Sequence, residues 1–519
     1  MKTPGVYINE LNAFPNSVVG VATAVPAFIG YTPQAEYEGK PYSNVPVRIT
    51  SFADFQTYFC LPDPPAPQSP VKQYSPQYYL VQQDAQPAKG DYLLINRSYY
   101  SVLPNPNTIY YLYNSIRLFY QNGGGTAYIV SVGTYGPPSG KTTNPGDQIV
   151  NPNVQLNELL GGLHQLLKEQ EPTLYICPEA TLLSVADNGT LMESMLLQCT
   201  QMQTAMCIFD IIGGNAPDPV LYTEDIETFR NNTGSVGLNY GMAYYPFIGT
   251  TIMQNTDIDY TNLFGGDLMQ LMPLFNPADD PNPAVAAILA NIQNPLSGLT
   301  VSQNHYALLM ASPTYAQIIK QIVSIASILP PSGAMAGVIT TTDNNEGPWQ
   351  SPANTSIVGA AWLPIQISDI QQMDLNVPVS GKSINAIRFF NGRGILVWGA
   401  RTLDSNSSDW RYISVRRTVI FLEQSCKLAI QGYVFQPNDS TTWVAVKSMI
   451  SDFLISIWKA GGLQGARPSD AFSVACGLGT TMTAEDILNG FMNVSVLVAV
   501  LRPAEFIVLN FQLKMVASE

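Results

Sequence analysis

Histidine is nearly missing from this chain: its 519 residues include two, His164 and His305. They lie far apart, each beside apolar residues and without a metal-type ligand at helical spacing, so both read as structural and a zinc centre is not expected. Charge is sparse too, at 12% of residues, which leaves much surface that is polar but neutral or covered by partners. What charge exists is lopsided, Lys+Arg 24 against Asp+Glu 38, for a net −14. No basic stripe is available for nucleic acid, and an anionic membrane surface would repel the chain. Cys60, Cys177, Cys199, Cys207, Cys426 and Cys476 show no C-x-x-C spacing and sit mostly among apolar residues. They read as buried free thiols rather than a disulfide frame or metal site. Long apolar runs are missing as well: "VSVLVAVL" (494–501) is too short to cross a bilayer and ends in Arg502-Pro503. The first residues are polar and contain proline, unlike a secretory signal, so the expectation is a soluble protein made in the cytoplasm.

Catalytic signatures are equally thin. "GPPSGKTTN" (136–144) carries the Gly140-Lys141-Thr142 tail of a phosphate-binding loop, but the glycine that should open the motif is displaced to Gly136. The two prolines there and Pro145 beyond leave no helix N-terminus to hold phosphates, so the stretch reads as a surface loop. There is no G-x-S-x-G elbow. The acidic pairs Asp279-Asp280, Asp369 with Asp374, and Glu485-Asp486 do not fit a calcium loop, and the last stands where carboxylates favour a helix start. No catalytic residue, cofactor or metal is expected.

What is present is a composition for folding, 46% hydrophobic, with an alternation of periods through the middle of the chain. "TIYYLYNSIRLFYQ" places Tyr110, Tyr113, Ile116, Leu118 and Tyr120 near helical spacing and stops at Asn122-Gly123-Gly124-Gly125. Strand signals "TAYIVSVG", "TLYICP", "AMCIFDII" and "YGMAYYPFIG" then alternate with helix signals near 155–168, 189–203 and 223–230. That order predicts an α/β fold, mixed with α+β parts, around a largely parallel sheet. "SVVGVATAVPAFIGYT" (17–32) is expected to be a buried strand pair turning near Pro26, and "SGAMAGVITTTDNNEGPWQSPAN" to be strand and loop. A helix is expected at 315–329, and an amphipathic one at 443–459 with Trp443, Val446, Ile450, Phe453, Leu454 and Ile457 on one side.

Both chain ends read as strands. Ile507, Leu509, Phe511, Leu513 and Met515 alternate with Val508, Asn510, Gln512 and Lys514, while Val6, Tyr7 and Ile8 form a short run after Pro4-Gly5. Each could edge its own domain's sheet or pair with a neighbouring molecule.

Several stretches resemble the tail sheath subunit of contractile phage tails and of phage-tail-like extracellular injection particles. They are "TPGVYINEL", "SPANTSIVGAAWLPIQISD" (351–369), "LNVPVSGKSINAIRFFNGRGILVWGARTL" (375–403), "DWRYISVRRTVIFLEQSCKLAIQGYVFQPND" (409–439) and "RPAEFIVLNFQ" (502–512). The resemblance implies a structural subunit, not an enzyme, divided into an N-terminal arm and core part (1–59), a Pro/Tyr-rich excursion (60–107), an α/β domain (108–250), an inserted outer segment (251–329) and a C-terminal core with strand arm (330–519). It implies arms that complete sheets in adjacent subunits, through Val6, Tyr7 and Ile8 at one end and Phe506, Ile507, Val508, Leu509, Asn510, Phe511, Gln512 and Leu513 at the other. It also implies a tube contact on helix 443–459, with Lys447 and Lys459 exposed. Arg388, Arg393, Arg401, Arg411, Arg416 and Arg417 would serve either this contact or internal ion pairs. The implied partners are further copies in a helical homopolymer of stacked hexameric rings, an inner tube protein, and baseplate and tail-terminator proteins, assembled in the bacterial cytoplasm and released in the particle. The competing reading is a ligand-binding protein or enzyme using the 108–250 sheet.

Overall fold

The computed structural model describes residues 17–64, 71–87, 92–215, 221–294, 296 and 298–507. The chain forms two compact units, one of Ala22–Asn345 with Pro352–Ile413, the other of Met1–Val21, Glu346–Ser351 and Ser414–Glu519.

The larger unit is organised by a nine-stranded sheet. Its spatial order is Thr355–Ser356, Gly394–Trp398, Asn385–Phe390, Gly241–Tyr245, Met206–Asp210, Leu174–Ile176, Pro26–Thr32, Ala127–Thr134 and Val47–Ile49. The run from Asn385–Phe390 to Ala127–Thr134 is parallel, and antiparallel strands close both edges. Every residue of Pro26–Thr32 is buried, as a strand covered on both faces requires. Pro26 therefore opens a single central strand, where its missing N–H costs no ladder bond, and is not the turn of a strand pair.

Helices Leu112–Gln121, Leu156–Gln165, Val185–Met202 and Leu221–Asn232 follow the predicted alternation. The first stops where expected, at Asn122, with Gly123 at φ +86°.

A further helix, Ser332–Asn345, replaces the strand and loop expected there. Its β-branched residues imitate a strand, and it has no polar face to betray its period, because Ser332–Thr340 is buried throughout. Its glycines explain the packing: a Cβ at Gly333 would lie 2.5 Å from the Ser115 carbonyl oxygen, and one at Gly337 2.6 Å from that of Phe119. The two helix backbones thus cross almost in contact.

The two segments expected to be separate surface excursions meet in one outer module. The first supplies an antiparallel meander of Tyr78–Gln83, Ser98–Pro104 and Tyr92–Ile95. The second supplies helices Leu268–Phe275, Pro283–Gln293, Val301–Ala311 and Pro313–Ala326. They share a core that includes Tyr78, Leu80, Val102, Ile258, Leu271, Tyr315, Ile318 and Ile322.

The smaller unit is built on helices Ile413–Ile430 and Ser440–Lys459. In helix Ser440–Lys459, Asp439 caps the first turn by accepting from the N–H groups of Thr441 and Thr442. Gly461, at φ +83°, ends it: Gly461 donates to the Trp458 carbonyl and Gly462 to that of Ile457. Its buried face, Val446, Met449, Ile450, Phe453, Leu454 and Ile457, matches the amphipathic reading. Val18 packs into this same core, and Val21 N–H donates to Ser425 Oγ, so the front of the described chain is fastened to the smaller unit.

Candidate assembly surface

The smaller unit carries an antiparallel pair of strands, Phe472–Cys476 and Val494–Val498, in the register Phe472–Val498, Val474–Val496 and Cys476–Val494. Period two divides it. Phe472, Val474, Val494 and Val498 join the core beneath, while Ser473, Ser495 and Leu497 face outward, Leu497 at 66% exposure. An isolated two-stranded ribbon is marginal in water, and this one rests on helix Ser440–Lys459. Among the described residues no third strand joins it, so its outer edges keep backbone donors and acceptors free for another strand. After Val498 the chain makes one bridge, Val500 with Leu463, and continues without regular structure to Ile507.

Of the predicted arm residues, Phe506 and Ile507 are exposed at 70% and 79%, an unusual state for such side chains unless something covers them. Val508, Leu509, Asn510, Phe511, Gln512 and Leu513, and Val6, Tyr7 and Ile8 at the other end, lie outside the described residues. Lys447 and Lys459 are both exposed on helix Ser440–Lys459, away from its buried face.

The arginines are built into the fold. Arg388 bonds Asp369 at 2.8 Å and Gln372 at 2.6 Å, Arg393 bonds Asn354 at 2.5 Å, and Arg411 Nε donates to the Ser405 carbonyl. Arg401, Arg416 and Arg417 are all buried, so only a minority of this positive charge reaches the surface.

Sequence reasoning named donor strands but missed their candidate acceptor. The signal was available in the alternation of "FSVAC" and "VSVLV", though "VSVLV" reads by itself as a plain apolar run. It also missed Phe435, which is fully exposed at φ +70° in the loop before helix Ser440–Lys459. Asn438 steadies that loop, its amide donating to the Phe491 carbonyl and its oxygen accepting from Trp443 Nε1.

The competing ligand site has a definite counterpart. The sheet order reverses beside Pro26–Thr32, whose neighbours are Leu174–Ile176 and Ala127–Thr134, and a crevice at the strand ends there would be the place for a ligand. Glu179 fills it. Its Oε1 accepts from the N–H groups of Leu112 (2.8 Å) and Tyr111 (3.3 Å), and its Oε2 lies where a Cβ on Gly30 would stand. Burial raises its carboxyl to about 8. Asp210 does the same for the crossing helix, accepting from Ser332 N–H at 2.8 Å and its hydroxyl at 2.5 Å, with burial raising the carboxyl to about 7. The raised carboxyls thus serve as helix caps in a close-packed interior. A cavity of about 340 Å³ nearby, lined by Asp147, Asn188, Glu224 and Asp225 among others, presents no histidine, cysteine, serine or basic side chain among the described residues.

Residues 405–514, which contain the two-stranded sheet, match the family model of the phage tail sheath C-terminal domain. The tail sheath protein of Vibrio phage KVP40 is 29% identical over 147 residues, 27% of this chain and 21% of that protein. The alignment therefore spans about a fifth of that relative's length. Across nearly the whole chain the fold is that of contractile sheath proteins. The anti-feeding prophage helical sheath in its contracted state aligns with a TM-score of 0.59 at 24% identity, covering 99% of both chains. The sheath complex of the PVC extracellular contractile injection system, also contracted, gives 0.55 at 23% identity, covering 99% of this chain and 98% of that one. A chain of the anti-feeding prophage baseplate gives 0.58 at 24% identity, covering 99% and 100%. Among the described residues no helix is long and apolar enough to cross a membrane.

Proposed function

We propose that this protein is the structural, non-enzymatic subunit of a contractile tail sheath. It polymerises helically around an inner tube, in an extended metastable lattice, and repacks into a shorter one to drive the tube through a target envelope. The observation that carries this reading is the open-edged pair Phe472–Cys476 and Val494–Val498, found inside the segment that matches the sheath C-terminal domain. Strands from neighbouring copies, Val6–Ile8 and Phe506–Leu513, would extend that pair by backbone hydrogen bonding, with alternate side chains fixing the register. From residue 505 to residue 515 an extended chain reaches about 35 Å, enough to span to an adjacent subunit. Such joints hold while the bodies turn, so the lattice can shorten without coming apart. Lys447 and Lys459 would face the tube, and the baseplate and a terminator would cap the ends. Assembly would take place in the bacterial cytoplasm, before release of the particle.

The test is negative-stain electron microscopy of the full chain and of a chain lacking residues 505–519, each with and without the tube protein. Tubes from the full chain alone support both the sheath and the donated strand. Tubes from both chains would remove the donated C-terminal strand and leave the sheath, whereas small particles from both, where the tube itself polymerises, would overturn the sheath.

A further inference from the structure

The outer module holds a buried histidine whose hydrogen bonds are all defined. His305 is 2% exposed, its Nε2 lies 3.0 Å from the Asn255 carbonyl and its Nδ1 2.7 Å from the Tyr315 hydroxyl. A carbonyl can only accept, so Nε2 carries the ring proton and Nδ1 must accept from Tyr315. The Tyr315 oxygen in turn receives the backbone N–H of Tyr260. The chain of donors runs one way, Tyr260 to Tyr315 to His305 to Asn255, and it is complete only when the imidazole is neutral.

Tyr260 belongs to the seam between the two segments that build the module. Next to it Asp259 pairs with Lys72 at 2.6 Å. Asn262 accepts from Lys72 Nζ and donates to Ser75 Oγ and the Pro76 carbonyl, and Leu263 bridges to Tyr78. A shift at Tyr260 is therefore felt where residues 72–78 meet residues 259–263.

We propose that His305 is a proton-sensitive latch, and that its protonation turns Nδ1 into a second donor facing the Tyr315 hydroxyl and loosens the seam of the outer module. The charged and titratable groups around it do not rescue the cation. Asp259 favours it, but both its carboxylate oxygens are engaged, by Lys72 and by Thr261, and Lys72 opposes it. Tyr306 and Tyr315 contribute ring contacts, and desolvation dominates, holding the imidazole below its ordinary value. The sign follows: with the closed-state affinity lowered, the latch's stability is full above the ordinary value of 6.5 and is lost as pH falls below it.

The experiment is hydrogen exchange of the full chain at pH 7.5 and pH 5.0, corrected for the intrinsic pH dependence of amide exchange. Peptides covering 71–80 and 255–263 should open several-fold more at pH 5.0, with strand Ala127–Thr134 unchanged, and His305→Gln should abolish the difference even if its baseline rises. Equal acid opening in His305→Gln, or none in the parent chain, overturns the latch. A carbon-detected imidazole titration of the parent protein is independent of any variant, because exposed His164 is the only other histidine. His305 staying neutral until the seam opens supports the proposal; protonation with the seam closed overturns it.

Discussion

At the scale of the residue, the interior of the larger unit is marked by acids that act as helix caps. Glu179 and Asp210 hold the N-termini of two helices, and both carboxyls are raised, to about 8 and about 7, by burial. A raised folded value favours the protonated acid, so this contribution to stability is full below the ordinary carboxyl range and drains away as pH climbs through the raised values. Thermal unfolding at pH 5, 7 and 9 should therefore show melting falling towards pH 9, and Glu179→Gln should flatten the slope. Phe435 behaves oppositely to a core residue. A left-handed backbone costs a bulky side chain about 1–2 kcal/mol, and the exposed ring gains no compensating burial in the free subunit. Phe435→Asn should raise the melting temperature of the unassembled chain while weakening polymer formation, read by melting and by pelleting.

Among elements, the helix crossing and the exposed ribbon mark where periodicity informed and where it did not. The alternation of strands and helices from Ala127 to Thr250 could be read from the sequence because each element keeps one period and ends at glycine or proline. Helix Ser440–Lys459 was legible for the same reason, since half of it meets solvent. Ser332–Asn345 was not, because a helix buried on nearly all sides loses its polar stripe. Its glycines were the unread clue: Gly337→Ala would press a methyl against the Phe119 carbonyl. It should cost about 1–3 kcal/mol in urea unfolding, against about 1 kcal/mol gained had the helix been exposed. The union of residues 71–107 with residues 251–326 was illegible for another reason. The two segments are held by long-range contacts such as Lys72 with Asp259, which no local pattern records. The candidate acceptor ribbon was hidden because its strands are short and its outward positions, such as Leu497, are apolar as well.

For the whole molecule, charge is divided between the two units. The smaller unit contains nine basic and ten acidic residues, and the larger 15 basic and 28 acidic, so nearly all of the net −14 belongs to the larger. A polymer that joins smaller units through neutral strands must crowd acidic larger units together, and that repulsion is screened over about 10 Å at 0.1 M salt. Polymer yield at fixed protein concentration should rise between 20 mM and 500 mM sodium chloride, measured by light scattering and checked by microscopy; a flat response would place the larger units too far apart to sense one another.

The smaller unit is assembled from residues 17–21, 346–351 and 414 onward. A ribosome making this chain releases residues 22–345 long before Phe472–Cys476 and Val494–Val498 emerge, and domains fold as they emerge. The ribbon that offers open edges is thus synthesised near the end, after the sheet that could mispair with it has already closed. Order along the chain works here as a timer, keeping the adhesive part out of reach until the rest of the body is finished.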